Sequence, residues 1–109
     1  MKREYYSDTI ANFLKSRPDE ILGKLVQSND FALEQTQRDA WLKQIDILKK
    51  TLISYKGRIY FEWIIPRMGK RIDVLLIVGA AIVVIEFKIG ETEFTLAGTD
   101  QVWDYALDL

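Results

Sequence analysis

The sequence predicts an α/β domain in which a helix is followed by a three-stranded antiparallel meander and then by a closing helix. Three observations point there. An apolar stripe runs through Trp41, Ile45, Leu48, Leu52 and Tyr55 at helical spacing. The period then becomes that of strands in IYFEWII, RIDVLLIV and AIVVIEFK, which glycine-bearing turns separate. A second helical segment, TDQVWDYALDL, follows a glycine-bearing stretch.

Composition narrows the chemistry. A chain of 109 residues, 49% hydrophobic and 28% charged, suits one globular domain that buries roughly 60–70% of the surface its unfolded chain exposes. Without cysteine there are no disulfides or thiolate metal sites. Without histidine, acid–base or metal chemistry falls to carboxylates, lysine, tyrosine and serine. A net charge of −1 argues against a generic basic coat for nucleic acid, while leaving room for a local basic patch. The opening MKREYYSDTI has no apolar core of a signal peptide. The longest apolar run, Val74 to Ile85, is shorter than the roughly 20 residues of a membrane helix. The expectation is a cytoplasmic protein with no membrane span.

The elements follow in order. Ser7 and Asp8 are caps for a short helix running to about Lys15. SRPDE starts another, with Pro18 in its first turn and Asp19 and Glu20 at the positive end of its dipole; Gly23 weakens it. Residues 28–30, SND, cap the long helix expected from Phe31 to Ser54. Its apolar stripe, extended backwards, lands on Gln37 and Glu34. Either the helix emerges from the core at that end, or these side chains point into a polar pocket at the end of the sheet. Gly57 marks the turn into the first strand and Pro66 ends it. RMGKR is a basic turn, and Gly79-Ala80 is the tight connection between the second and third strands. The glycine-bearing IGETEFTLAG leads into the last helix, from about Thr99. The sequence stops inside that helix, leaving Trp103, Leu107 and Leu109 with no following element to cover them. The expectation is a piece of a longer protein, with a homodimer through this helix as a second way to complete the layer.

A two-residue loop at Gly79-Ala80 puts Val78 opposite Ala81, and counting outwards puts Asp73 opposite Glu86. On that register the two carboxylates share one face, with Lys88 two residues on and opposite Arg71, while Phe87 points into the core. Opposed carboxylates repel unless a positive charge lies between them. A hard divalent cation such as Mg²⁺ supplies it, and Lys88 would then steady the attacking hydroxide or the charge growing on a phosphoryl oxygen. The plainer reading of Glu-x-Lys at a strand end is a solvated cross-strand ion pair. Glu62 is expected to face solvent, and Asp100, Asp104 and Asp108 to form the wet side of the last helix. RMGKR is either a polar turn or a set of phosphate contacts from Arg67, Lys70 and Arg71.

Asp73 at the end of GKRID, EFK with Glu86 and Lys88 after a hydrophobic hairpin, and QVWDY with Gln101 and Tyr105 together resemble the PD-(D/E)XK nuclease superfamily, its RecB-type members in particular. The resemblance covers residues 31–109; residues 1–30 form an N-terminal helical segment without a motif. It implies a restriction-endonuclease-like core of helix, three strands, helix and final strand, with the final strand missing from this chain. It also implies Mg²⁺-dependent hydrolysis of phosphodiester bonds in DNA, with Mn²⁺ as a substitute. Asp73, Glu86 and the backbone carbonyl of Phe87 would hold the metal, and Lys88 would be the catalytic lysine. Glu34 matches the glutamate that the family often adds from its first core helix. Gln101 and Tyr105 would shape the site or touch the DNA backbone. Ile72 stands where the motif's proline would precede Asp73. The chain is also similar to nuclease-like N-terminal domains ahead of helicase-type ATPase modules in bacterial proteins. The alternative is a non-catalytic module of the same fold that binds nucleic acid or docks a partner.

Overall fold

The computed structural model of the chain describes residues 3–28, 35–87 and 94–96. Its element order is β1 (Tyr6–Thr9), α1 (Ile10–Lys15), α2 (Pro18–Gln27), α3 (Gln35–Thr51), β2 (Arg58–Ile65), β3 (Lys70–Val78), β4 (Ala81–Phe87) and β5 (Phe94–Leu96). A short 3-10 turn, Pro66–Met68, joins β2 to β3. The strands form one antiparallel sheet in the order β1-β2-β3-β4-β5. No helix among the described residues is long and apolar enough to cross a membrane.

The expected meander is present as β2, β3 and β4, and the long helix as α3. Two strands are additional. β1 carries one buried side chain, Tyr6, in the polar sequence YSDT, so no alternation announces it. Its backbone pairing places Tyr6 opposite Phe61 and Thr9 opposite Arg58. β5 has three residues, too short for a period. Because β1 runs through Ser7 and Asp8, the first helix starts later than their capping chemistry suggested. Thr9 is its N-cap, the hydroxyl accepting from the Asn12 N–H at 3.1 Å, and Asp8 buttresses the turn by accepting from Asn12 Nδ2 at 3.0 Å. Ser28, expected to open the long helix, closes α2 instead, and its hydroxyl donates to the Tyr5 carbonyl at 2.9 Å.

α3 buries Trp41, Gln44, Ile45 and Leu48. Leu52 is still buried just beyond the helix, but Tyr55 at the end of the expected stripe is exposed, because the chain has left the helical path by then. Ile10 and Phe13 of α1, Ile21 and Leu25 of α2, and Trp41, Ile45 and Leu48 of α3 pack with Tyr6, Ile59, Phe61, Val74, Leu76 and Ile85 into one cluster on a single face of the sheet. Each fully buried aliphatic or aromatic side chain there contributes about 1.5–3 kcal/mol. A second cluster on the other face holds Ile65, Ile72, Leu75 and Val84. The β3–β4 register runs from Val78↔Ala81 to Val74↔Ile85, as the two-residue loop requires, with Gly79 at φ 58° supplying the turn. The closing helix expected from Thr99 lies outside the described residues.

Candidate functional site

The site grows from a break in the β2–β3 ladder. Pairing runs from Arg58↔Ile77 to Phe61↔Val74 and resumes from Trp63↔Ile72 to Ile65↔Lys70. The register is unchanged across the gap, so neither strand carries an extra residue; Glu62 and Asp73, facing each other, drop out of the pairing. Glu62 has a φ of 55°, the left-handed region that side-chain-bearing residues seldom adopt. The faces exchange there. Before the break Ile59 and Phe61 point to the helices, whereas beyond it Ile65 and Trp63, of the same parity, pack in the other cluster. On β3, likewise, Val74 faces the helices and Ile72 does not.

Asp73 and Glu62 therefore both open into a pocket of about 320 Å³ between α3 and the parted strands. Gln37, Trp41 and Gln44 come down from α3, Tyr5 and Phe87 form the sides, and Arg71 stands at the rim with its side chain half exposed. Trp41 Nε1 donates to Glu62 Oε1 at 3.0 Å, and Arg71 Nε lies 3.7 Å from Glu62 Oε2. The Arg71 guanidinium stacks on Tyr5, 4.9 Å from the ring centre, and Tyr5 meets Trp41 edge to face at 6.3 Å. The backbone N–H of Phe87 donates to Asp73 Oδ2 at 2.8 Å, tying the carboxylate to the end of β4.

These surroundings move both acids in the same direction. Burial pushes Glu62 above its ordinary pKa, the Trp41 N–H pulls it back, the charge of Asp73 adds to the rise and Arg71 opposes it. Burial also raises Asp73, against the Phe87 N–H and Arg71. Gln44 is 8% exposed, and its Oε1 has no hydrogen-bond partner among the described residues. Two carboxylates and an orphaned amide oxygen are hard oxygen donors, chemistry that fits Mg²⁺ or Mn²⁺. Among the described residues no group of three or more acidic side chains is placed to hold a metal ion.

Of the residues the sequence nominated, Asp73 is in the pocket and Glu86 is not. The expected register holds, but the expected shared face does not. Glu86 is exposed and lies between Ile85 and Phe87, which both pack on the helix side, so its own side chain points to the other face. Asp73 would have followed it there had the break at Glu62 not turned β3. Phe87 packs into the helix-side core as expected. Arg71 belongs to the pocket, whereas Arg67 and Lys70 are exposed at the turn. Gln37 lines the pocket, which is the second of the two readings of the polar end of the helical stripe. Glu34, Lys88, Gln101 and Tyr105 lie outside the described residues.

Glu62, expected in solvent, is 7% exposed and central. Strand periodicity carries no sign of a left-handed residue, so nothing in IYFEWII marks it. Gln44 did leave a signal: Gln37, Trp41, Gln44 and Leu48 are spaced by four, three and four, a second row beside the apolar stripe. The chain matches no protein-family model, no curated protein and no solved structure.

Proposed function

We propose that this chain is a nuclease-like domain of the PD-(D/E)XK type, with a restriction-endonuclease-like core, that hydrolyses phosphodiester bonds in DNA with Mg²⁺. The observation that carries the reading is the placement of Asp73. Its carboxylate sits in a pocket beneath the long helix and accepts from the backbone N–H of Phe87, the residue after Glu86, which ties it to the end of β4. A bound Mg²⁺ would neutralise and polarise the phosphate. Asp73 would hold the cation. Arg71, half exposed at the rim, would meet a phosphate oxygen, and Arg67 and Lys70, exposed on the adjoining turn, would extend the positive surface. By the resemblance, Lys88 would stabilise the charge that develops on the reacting oxygen, and Gln101 and Tyr105 would shape the site or touch the DNA backbone.

The test is cleavage of plasmid and of short single- and double-stranded DNA with Mg²⁺ and with Mn²⁺. Asp73→Asn and Lys88→Ala should each abolish it, and Lys88→Ala should leave metal binding intact. Cleavage that survives Lys88→Ala removes the role given to that lysine. One observation favours a second reading, a non-catalytic module that binds nucleic acid or docks a partner beside a helicase-type motor. Glu86 points away from Asp73, so the pair expected to share the metal does not converge. Metal-independent DNA binding without cleavage would select that reading.

A further inference from the structure

We propose that the pocket is a hard divalent-cation site whose protein ligands are Asp73, Glu62 and the amide oxygen of Gln44, with Glu86 outside it. The inference rests on the metal-dependent reading for the choice of pocket, and it replaces the partner of Asp73 that the sequence suggested.

Three oxygens carry it. Glu62 Oε1 is taken by the Trp41 N–H, but Oε2 has only the Arg71 guanidinium at 3.7 Å, too far for a hydrogen bond. Asp73 Oδ2 is taken by the Phe87 N–H, and Oδ1 has no hydrogen bond among the described residues. Gln44 Oε1, on a side chain more than nine-tenths buried, is likewise without a donor. All three residues line the same pocket. A buried acceptor without a donor costs about 1–3 kcal/mol, so Gln44 Oε1, on the same pocket as the two carboxylates, points to an occupant. Water satisfies acceptors but brings no charge, and Arg71 offsets one of the two carboxylates. A divalent cation supplies the remaining charge and accepts all three oxygens together. Two carboxylates, one neutral oxygen and several waters are a ligand set that Mg²⁺ and Mn²⁺ accept. The volume of about 320 Å³ leaves room for those waters, since each needs roughly 15 Å³.

The break in the ladder is what makes the site. With Glu62 in an extended conformation the two strands would stay paired, and the parity of β2 and β3 could not bring both carboxylates to the helix side. Trp41 fixes one Glu62 oxygen and so aims the other into the pocket. This is the supporting role that an outer hydrogen bond plays around a metal ligand.

The experiment is thermal melting of the chain after chelation, titrated with Mn²⁺, together with calorimetric measurement of the Mn²⁺ dissociation constant. The wild-type midpoint should rise on the order of 10 °C at a hundredfold excess over Kd. Glu86→Gln should keep that rise, Glu62→Gln and Asp73→Asn should lose it, and Gln44→Met should weaken binding about tenfold, the loss of one neutral ligand. No rise at millimolar Mn²⁺ overturns the proposal, as does a rise that Glu86→Gln removes and Glu62→Gln retains. If Glu62→Gln does not fold, Gln44→Met decides: weakened binding sustains the site and an unchanged Kd overturns it. Cleavage assays on the same variants separate the two inferences. A metal-dependent rise without cleavage of any nucleic acid removes the nuclease reading and leaves this site standing. Metal-dependent cleavage that survives Glu62→Gln does the reverse.

Discussion

Replacing Glu62 by glycine and, separately, by alanine isolates the backbone conformation that opens the pocket. Both changes delete the same carboxylate and the same bond from Trp41. They differ in the residue asked to hold a φ of 55°. An L-residue in the left-handed region costs about 1–2 kcal/mol, and glycine is spared that cost. Glycine in an ordinary strand is worse than alanine by roughly 0.5–1 kcal/mol, because it loses more chain entropy. Setting one against the other, Glu62→Gly should be more stable than Glu62→Ala by on the order of 0.5–1 kcal/mol. That corresponds to a midpoint difference of about 2–8 °C. Thermal and urea melting in the presence of chelator read it without a contribution from metal. Alanine equal to or better than glycine would mean that residue 62 sits in ordinary extended backbone. The exchange of faces, and with it the pairing of Glu62 with Asp73, would then be wrong.

Three other outcomes follow from the same structure. In metal-free protein Glu62 and Asp73 bind a proton more tightly folded than unfolded. The stability they contribute is therefore present below their ordinary pKa values, 4.5 for Glu62 and 3.8 for Asp73, and lost as pH rises through the higher folded values. Urea titrations across this range should show that slope, with Arg71 and the Trp41 N–H limiting it, and Glu62→Gln with Asp73→Asn should lack it; an unchanged slope in the double variant refutes the assignment. Gly57 has a φ of 146°, and a Cβ there would lie 1.9 Å from the Ile77 carbonyl oxygen, so Gly57→Ala should cost about 3 kcal/mol or more by chemical denaturation. Lys49 Nζ donates to the carbonyls of Phe13, Leu14 and Ser16 at the end of α1. Lys49→Met should cost about 1.5–3 kcal/mol and speed amide exchange in α1 more than in β3.

What was legible in the sequence was the part governed by period and turn chemistry. Trp41, Ile45 and Leu48 lie on the buried face of a helix because nothing interrupts their spacing. The β3–β4 register follows from two residues, Gly79 and Ala80, and the structure has it. Asp73 was found by counting the register outwards from that loop to the residue opposite Glu86, and Gln37 because it breaks an apolar stripe. Glu62 and the side of Asp73 were missed for one shared reason. Parity counting assumes every strand residue is extended, and a single left-handed residue falsifies the count from that point on. β1 was missed because its stability comes from backbone pairing with β2 and one buried tyrosine, neither of which leaves a pattern in YSDT.

The central claim is that Asp73 shares its pocket with Glu62 and not with Glu86. An anomalous difference map from a crystal soaked in Mn²⁺ tests it most directly. The account predicts a peak beneath α3, bounded by Asp73, Glu62 and Gln44 Oε1. A peak between Asp73 and Glu86, or none at millimolar Mn²⁺, would contradict it.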